Sequence, residues 1–359
     1  MIRAILALAV VATSGCASMG PGTVTRDRFD YTEAIAESWK SQMLLNLVKI
    51  RYSDTPVFLD VGQVVAGYSM QRTYSASANL FNTQGFSPGT TIGALGAGAE
   101  GRFNDSPTIT YTPLAGENFA RQMMTPIPPS AILNVIQAGF PVEGVFRLAV
   151  QAVNGVHNRR VRPAGVRPAN AEYFVLLRDL ARVQDEGAIG ARVVQADKVE
   201  KLALVFRPKL NATEETAVLE IAKILGLDPG TREFRVVYGS VAANDKEIAL
   251  LTRSMVEVLA DLSSVIAVPE AHVSERRVRP TPGPDLAPDG PVPPLIRIES
   301  SIDRPSDAFV AVPYRGYWFW IDDRDVASKH LLSSIMFLFT FVQTGAKDAA
   351  PILTIPTTR

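Results

Sequence analysis

Cysteine is almost missing from this chain: one occurs in 359 residues, at position 16. No internal disulfide can form, so packing alone must hold the fold, even though an exported protein has access to disulfide staples. An excess of either charge is missing too, because 36 Lys plus Arg are matched by 36 Asp plus Glu. That balance removes the basic field on which nucleic-acid binding depends and excludes nucleic acid as a partner. Histidine is scarce; His157, His272 and His330 lie far apart and fit no metal-ligand spacing. The nucleophile signature S-x-x-K does not occur. The apolar runs near residues 4–12 and 331–342 both fall short of the roughly 20 residues needed to cross a bilayer as a helix.

What is present begins at Met1. Arg3 is followed by an apolar run from Ala4 to Ala12, then by Thr13-Ser14-Gly15 and Cys16. A cation, a short apolar run and small residues ahead of a cut site are the parts of a secretory signal. Ser14-Gly15-Cys16 resembles the lipobox of bacterial lipoproteins, with Thr13 standing where Leu is more usual. The resemblance implies that Cys16 is lipidated on sulfur and becomes the mature N-terminus, which leaves no free thiol. It also implies a firm anchor, since a single acyl chain binds membranes only marginally and additional chains make attachment stable. Ala17 occupies the place where inner-membrane lipoproteins often carry Asp, so the resemblance favours the periplasmic side of the outer membrane. The body resembles uncharacterised Gram-negative envelope lipoproteins.

The pattern along the chain predicts an α+β fold in successive parts. Residues 1–15 read as a signal peptide and 16–27 as a lipidated tether rich in small residues. A domain of helices and a β-hairpin is expected over 28–190. It opens with an amphipathic helix at 31–51, capped by Asp30 and Glu33. Beyond Pro56 the period becomes two: Tyr68, Met70, Tyr74, Ala76, Ala78 and Leu80 alternate with Ser69, Gln71, Thr73, Ser75, Ser77 and Asn79. With the run from Ile92 to Phe103 this predicts a long hairpin, and Thr108–Thr112 a third strand. The weak alternation invites comparison with outer-membrane barrel strands. One hairpin cannot close a barrel, so a single-chain porin is excluded. The plainer reading is a sheet packed on the opening helix.

A helical middle follows, including helices at 130–137, 142–154 and 170–185. An α/β module is expected over 191–273, with strands at 201–206 and 232–238. Asn211 with Glu214, and Asn244 with Glu247, mark the starts of its two helices, the second reaching Val265. This β-α-β-α order predicts a right-handed parallel crossover. Seven prolines between Ser274 and Leu295 read as a linker over 274–294. Residues 295–359 supply short strands and a buried helix near 325–343, docked on the module.

Four groups are candidates for chemistry. Gly96 to Gly101 match G-x-G-x-x-G, but Pro107 and the β-prone residues around it deny the helix that nucleotide binding needs. Asp322, Asp323 and Asp325 could serve as acid and base, or cap the helix that follows them. Arg159, Arg160 and Arg162, with Arg276, Arg277 and Arg279, are solvated loop residues or contacts to anionic envelope material. Tyr68, Met70 and Tyr74 mark a possible assembly face on the hairpin.

Together these features predict an outer-membrane-anchored periplasmic lipoprotein that acts as a structural or accessory subunit of an envelope assembly, with partner proteins or further copies. It is not expected to be an enzyme, and no cofactor is expected beyond the covalent lipid on Cys16. Two alternatives remain: a cell-wall or glycan-active enzyme using Asp322, Asp323 and Asp325, and a periplasmic ligand-binding module.

Overall fold

A computed structural model describes residues 21–65, 68–82, 91–105, 108–162, 165–196, 199–343 and 353–356 of the chain. It is an α+β protein. The first half runs α1 (Pro21–Arg51), β1 (Phe58–Val65), β2 (Tyr68–Asn82), β3 (Thr91–Asp105), β4 (Thr108–Leu114), α2 (Glu117–Met124), α3 (Pro129–Gln137), α4 (Val142–Ala149), β5 (Val150–Val153), β6 (Val156–His157), β7 (Arg160–Arg162), β8 (Gly165–Arg167) and α5 (Ala171–Asp185). There follow β9 (Ile189–Ala196), β10 (Val199–Phe206), α6 (Ala212–Leu225), β11 (Glu233–Tyr238), β12 (Glu247–Thr252), α7 (Met255–Ser264) and α8 (Glu270–Ser274). The last elements are β13 (Asp285–Ala287), β14 (Gly290–Val292), β15 (Glu299–Ser301), β16 (Ala308–Tyr314), β17 (Tyr317–Asp322), α9 (Val326–Gln343) and β18 (Leu353–Pro356).

Contacts divide the chain into two compact units: Met1–Val57 with Ala115–Ala346, and Phe58–Leu114 with Lys347–Arg359. The first unit is built on a six-stranded sheet in the order β6-β5-β12-β11-β10-β9. Phe146, Tyr173, Leu177, Ile221, Phe234 and Leu250, drawn from helices and sheet alike, share its core. The two ends of α6 show how sequence sets boundaries. Asn211 accepts from the Glu214 amide while the Glu214 carboxylate accepts from the Asn211 amide, a reciprocal cap. Gly226 ends the helix at φ 65°, the left-handed conformation that costs glycine least. Ser254 and Glu257 repeat the reciprocal cap at the start of α7.

In α1 the predicted stripe is present: Met43, Leu44, Leu47 and Val48 are buried. They bring the helix against α7, β16 and α9. The helix begins at Pro21, ahead of the expected start, so Asp30 and Glu33 lie inside it and cap nothing. Its first turns take up 21–27, which composition had assigned to the tether; proline is favourable at a helix start because its missing N–H is unpaired there anyway.

Further expectations are corrected. The helix predicted to Asn154 stops at Ala149, and Val150–Val153 continues as a strand in the sheet. Glu247–Thr252 is also a strand, buried on both faces, and α7 starts only after it. A continuous apolar run of six residues has the same signature in a buried strand as in a helix. Consequently β10 and β11, on either side of α6, pair antiparallel and not through a parallel crossover; the parallel pair is β11 with β12. The proline-rich stretch is no structureless linker. It carries the hairpin β13–β14, Thr281 donates to the Ile266 carbonyl at 2.7 Å, and the Arg279 carbonyl accepts from Arg51 at 2.7 Å. β16, β17 and α9 lie chiefly on α1.

The second unit is a ribbon. β2 and β3 pair antiparallel through fifteen consecutive positions, from Tyr68 opposite Asp105 to Asn82 opposite Thr91. β1 pairs with β4, continuing the alignment from Val65 opposite Thr108 to Gln63 opposite Thr110 before a one-residue shift at Val61, and β18 adds to the other edge of β4. The predicted third strand thus exists, but it partners β1 and β18 instead of β3.

Replacing Asn211 by Ala removes one reciprocal cap and should cost about 1 kcal/mol. Asn244→Ala, at the pattern that caps no helix, should cost clearly less. Urea unfolding of the two variants side by side checks both.

Candidate functional site

Arg253 is the largest fully buried side chain among the described residues, at 1 % exposure. It sits between β12 and α7, where its guanidinium donates to the carbonyls of Arg147 (3.0 Å), Leu148 (3.2 Å) and Arg159, and to Asp261 Oδ2 at 3.1 Å. Arg159 lies alongside, also buried. It donates to Ser264 Oγ, with Asp261 Oδ1 3.4 Å from its Nε and Asp285 Oδ2 3.9 Å from its Nη1. Asp285 in turn accepts from the Ala169 amide at 3.2 Å. Two guanidinium groups and two carboxylates thus neutralise one another and join four segments that are remote in sequence. A cleft of about 320 Å³ opens beside them under Thr281, Pro282, Pro293 and Pro294.

This placement overturns the expectation for Arg159, which is a buried structural cation and cannot reach an anionic surface. The other predicted arginines are exposed. Arg160 lies 3.6 Å from Glu257 and Arg277 pairs with Glu275, while Arg162, Arg276 and Arg279 complete the exposed set. Asp322, Asp323 and Asp325 do not converge. Asp325 caps α9, accepting from the Ser328 amide at 3.1 Å and hydroxyl at 2.7 Å. Burial raises its carboxyl pKa, but these hydrogen bonds and Arg297 outweigh burial and hold it below the ordinary value. Asp322 accepts from the Arg324 amide, and Asp323 pairs with Lys329. With every one of the three so engaged, no acid–base pair is assembled there. Gly96 to Gly101 lie within β3, with no helix after them to meet a pyrophosphate. Among the described residues no group of three metal-ligating side chains occurs.

A second cluster was not foreseen, because its members are far apart in the chain. Tyr52 Oη and His272 Nδ1 are 2.7 Å apart, with Tyr317 edge-on to the imidazole at 4.9 Å and Arg315 stacked over Tyr52 at 5.3 Å. Burial pushes Tyr52 up to about 12 and, with Arg277 nearby, pushes His272 down. Both are neutral at pH 7, so the contact is a buried neutral hydrogen bond that staples the end of α1 to α8 and β17. Elsewhere an apolar cavity of about 580 Å³ lies among Leu133, Ile136, Phe146, Leu180, Ile221 and Ile248. The Gln184 amide at its rim is committed to Val142 and Phe140, which leaves the cavity without reactive groups.

The remaining predicted residues belong to the anchor and the ribbon. Cys16 lies outside the described residues. Tyr68, Met70 and Tyr74 occupy β2, opposite Asp105, Phe103 and Ala99. The tract from β2 to β3 is set apart by pairing alone: the two strands form a two-stranded sheet with no third strand on either edge among the described residues. No helix among the described residues is long and apolar enough to cross a membrane.

Asp261→Asn leaves Arg253 buried beside a neutral partner and should cost about 3–5 kcal/mol in urea unfolding, whereas Arg253→Met with Asp261→Leu should cost less. For His272 the folded-state pKa lies below the unfolded value, so unfolding takes up a proton as pH falls below about 6.5. Stability is complete above that value and declines beneath it. The loss between pH 7.5 and 5 should be smaller in His272→Gln than in the parent chain. Comparison of the chain with protein-family models, with curated proteins and with solved structures finds no match, so the functional reading rests on this geometry.

Proposed function

We propose that the protein is a lipoprotein anchored through Cys16 to the periplasmic side of the outer membrane, where it serves as a structural or accessory subunit of an envelope assembly. The observation that supports this best is the β2–β3 ribbon. Fifteen residues at about 3.3 Å each give arms of about 50 Å, beyond the usual 3–10 residue strand. Each arm presents an outer row of backbone N–H and C=O groups, and a two-stranded hairpin alone is at best marginal in water. A ribbon of this length with two open edges is an assembly element: a strand added to either edge satisfies the backbone and supplies the missing sheet.

The chemistry of the first unit is consistent with that role. Its buried charges neutralise one another, its acidic triplet is divided between a helix cap, a turn and an ion pair, and its apolar cavity carries no reactive group. These are the properties of a structural body and not of a reaction site.

In detergent, the full-length lipidated chain should form a defined oligomer. Replacing residues 68–105 with a short Gly/Ser linker should yield a monomer whose first unit melts as before. A parent chain that is monomeric in size-exclusion light scattering at every concentration overturns the assembly reading. Cys16→Ser should move the protein from the membrane to the soluble fraction of the envelope.

A further inference from the structure

We infer that the β2–β3 ribbon is a membrane-spanning hairpin, and that copies of this chain pair edge to edge to close a barrel across the bilayer. The inference rests on the reading of the ribbon as the assembly element and adds where it works and what it pairs with.

The alignment of the two arms carries the first step. Tyr74, Ala76, Ala78 and Leu80 lie opposite Ala99, Ala97, Leu95 and Gly93. The positions between them, Ser75, Ser77 and Asn79, lie opposite Gly98, Gly96 and Ala94. The period of two therefore holds across the pair as well as along each arm: apolar or glycine positions meet one another, and small or polar positions meet one another. Barrel strands carry this division between lipid and a watery interior. A sheet packed on a protein core with one solvated side also alternates, so alternation alone does not decide.

Charge decides. From Thr73 to Ala99 the chain has no Asp, Glu, Lys, Arg or His, although charged residues make up 20 % of the whole. A solvated strand pair ordinarily carries Lys and Glu, and open edges are ordinarily blunted by charge or proline. Neither device occurs in β2 beyond Arg72, nor in β3 before Glu100. Charge returns at one level of the ribbon, with Arg72 opposite Gly101, and Glu100, Arg102 and Asp105 close by. A hairpin whose tip must pass through hydrocarbon cannot carry ions there, whereas a hairpin in water has no reason to avoid them. The uncharged part of β2, Thr73–Asn82, has ten residues, and a tilted strand needs about 9–11 to cross. Tyr74, of the same parity as Ala76, Ala78 and Leu80, stands near one end of it, at a level where barrels place an aromatic girdle.

The number of copies follows from the backbone. Hydrocarbon offers no hydrogen bonds, so an open edge is untenable and only closed barrels cross as strands. β2 and β3 bring two strands per chain, and the smallest bacterial barrels have about eight, so at least about four copies are required. The fold has no other pair of strands of this length among the described residues.

Single cysteines placed one at a time from Ser75 to Asn79 test the inference in liposomes of phosphatidylethanolamine and phosphatidylglycerol. Cys16 is the only native cysteine, so labelling of the parent chain sets the background. A charged, membrane-impermeant maleimide should modify Ser75→Cys, Ser77→Cys and Asn79→Cys several-fold faster than Ala76→Cys and Ala78→Cys. Fluorophores at 76 and 78 should be the ones quenched by a lipid-borne nitroxide. In planar bilayers the parent should conduct, Ala76→Arg should abolish conductance, and Ser75→Asp should conduct with a shifted cation preference. Equal labelling at both sets of positions, or no conductance from a chain that still forms its oligomer, overturns the membrane-spanning inference and leaves the assembly reading intact. A monomer overturns both. Melting of the first unit, measured in every variant, separates misfolding from a failure to insert.

Discussion

Two buried guanidinium groups and the carboxylates that answer them hold the first unit in its shape. Removing Arg253 and Asp261 from water costs several kcal/mol per ion, and their attraction returns that cost only because the geometry satisfies most of the donors. Arg253 reaches three carbonyls as well as Asp261, and those carbonyls belong to the end of α4 and to the turn before β7. The arrangement therefore ties the end of one helix, the approach to a hairpin and the start of α7 into one geometry. Asp285 extends it to the proline-rich stretch, whose own composition supplies no core. A wholly apolar junction of the same volume would be as stable, but it would not fix which carbonyl meets which segment. Directional hydrogen bonds from a planar, permanently charged group do.

This explains why the proline-rich stretch defeated a reading by composition. Seven prolines and two glycines argue correctly that the segment cannot build a core. They are silent on whether a finished core elsewhere can hold it in place, and here Thr281, Arg279 and Asp285 do so through contacts more than a dozen residues distant. Arg159 was misread for a related reason. In sequence it is one of three arginines within four residues; only the fold separates it from Arg160 and Arg162 by placing it against Asp261.

Local rules succeeded where local energy dominated. Asn211 with Glu214 starts a helix and Gly226 stops it, because both devices act within one turn. Asn244 with Glu247 shows the same spacing and starts nothing. Asn244 instead accepts from the Lys246 amide, and Glu247 opens a strand whose residues are buried on both sides. A fully buried strand and a buried helix share a composition, so the partner strands, not the local pattern, decide between them. The tyrosine–histidine contact was equally illegible, since 220 residues separate Tyr52 from His272. The capping role of Asp325 was legible because only three residues separate it from Ser328.

The ribbon reverses this relation. Its strands, their alternation and their lengths were readable in advance, because period two along an extended chain is a local property. What pairing adds is a continuous alignment in which both arms keep the same division from Tyr74 opposite Ala99 to Leu80 opposite Gly93. A one-residue slip would set Ser75 and Ser77 against alanines and exchange the two sets of positions, so the division can persist only if the register is fixed. Nothing on the outer edges of β2 and β3 fixes it among the described residues. Among the described residues the register is continued at one end by β1 and β4, where Val65 lies opposite Thr108; the proposed ring of copies would add a second constraint along the edges. Water would tolerate the open edges at the cost of aggregation, and hydrocarbon would not tolerate them at all. The same fifteen positions that make the ribbon a poor element for an isolated chain therefore make it a good one for a closed ring of copies.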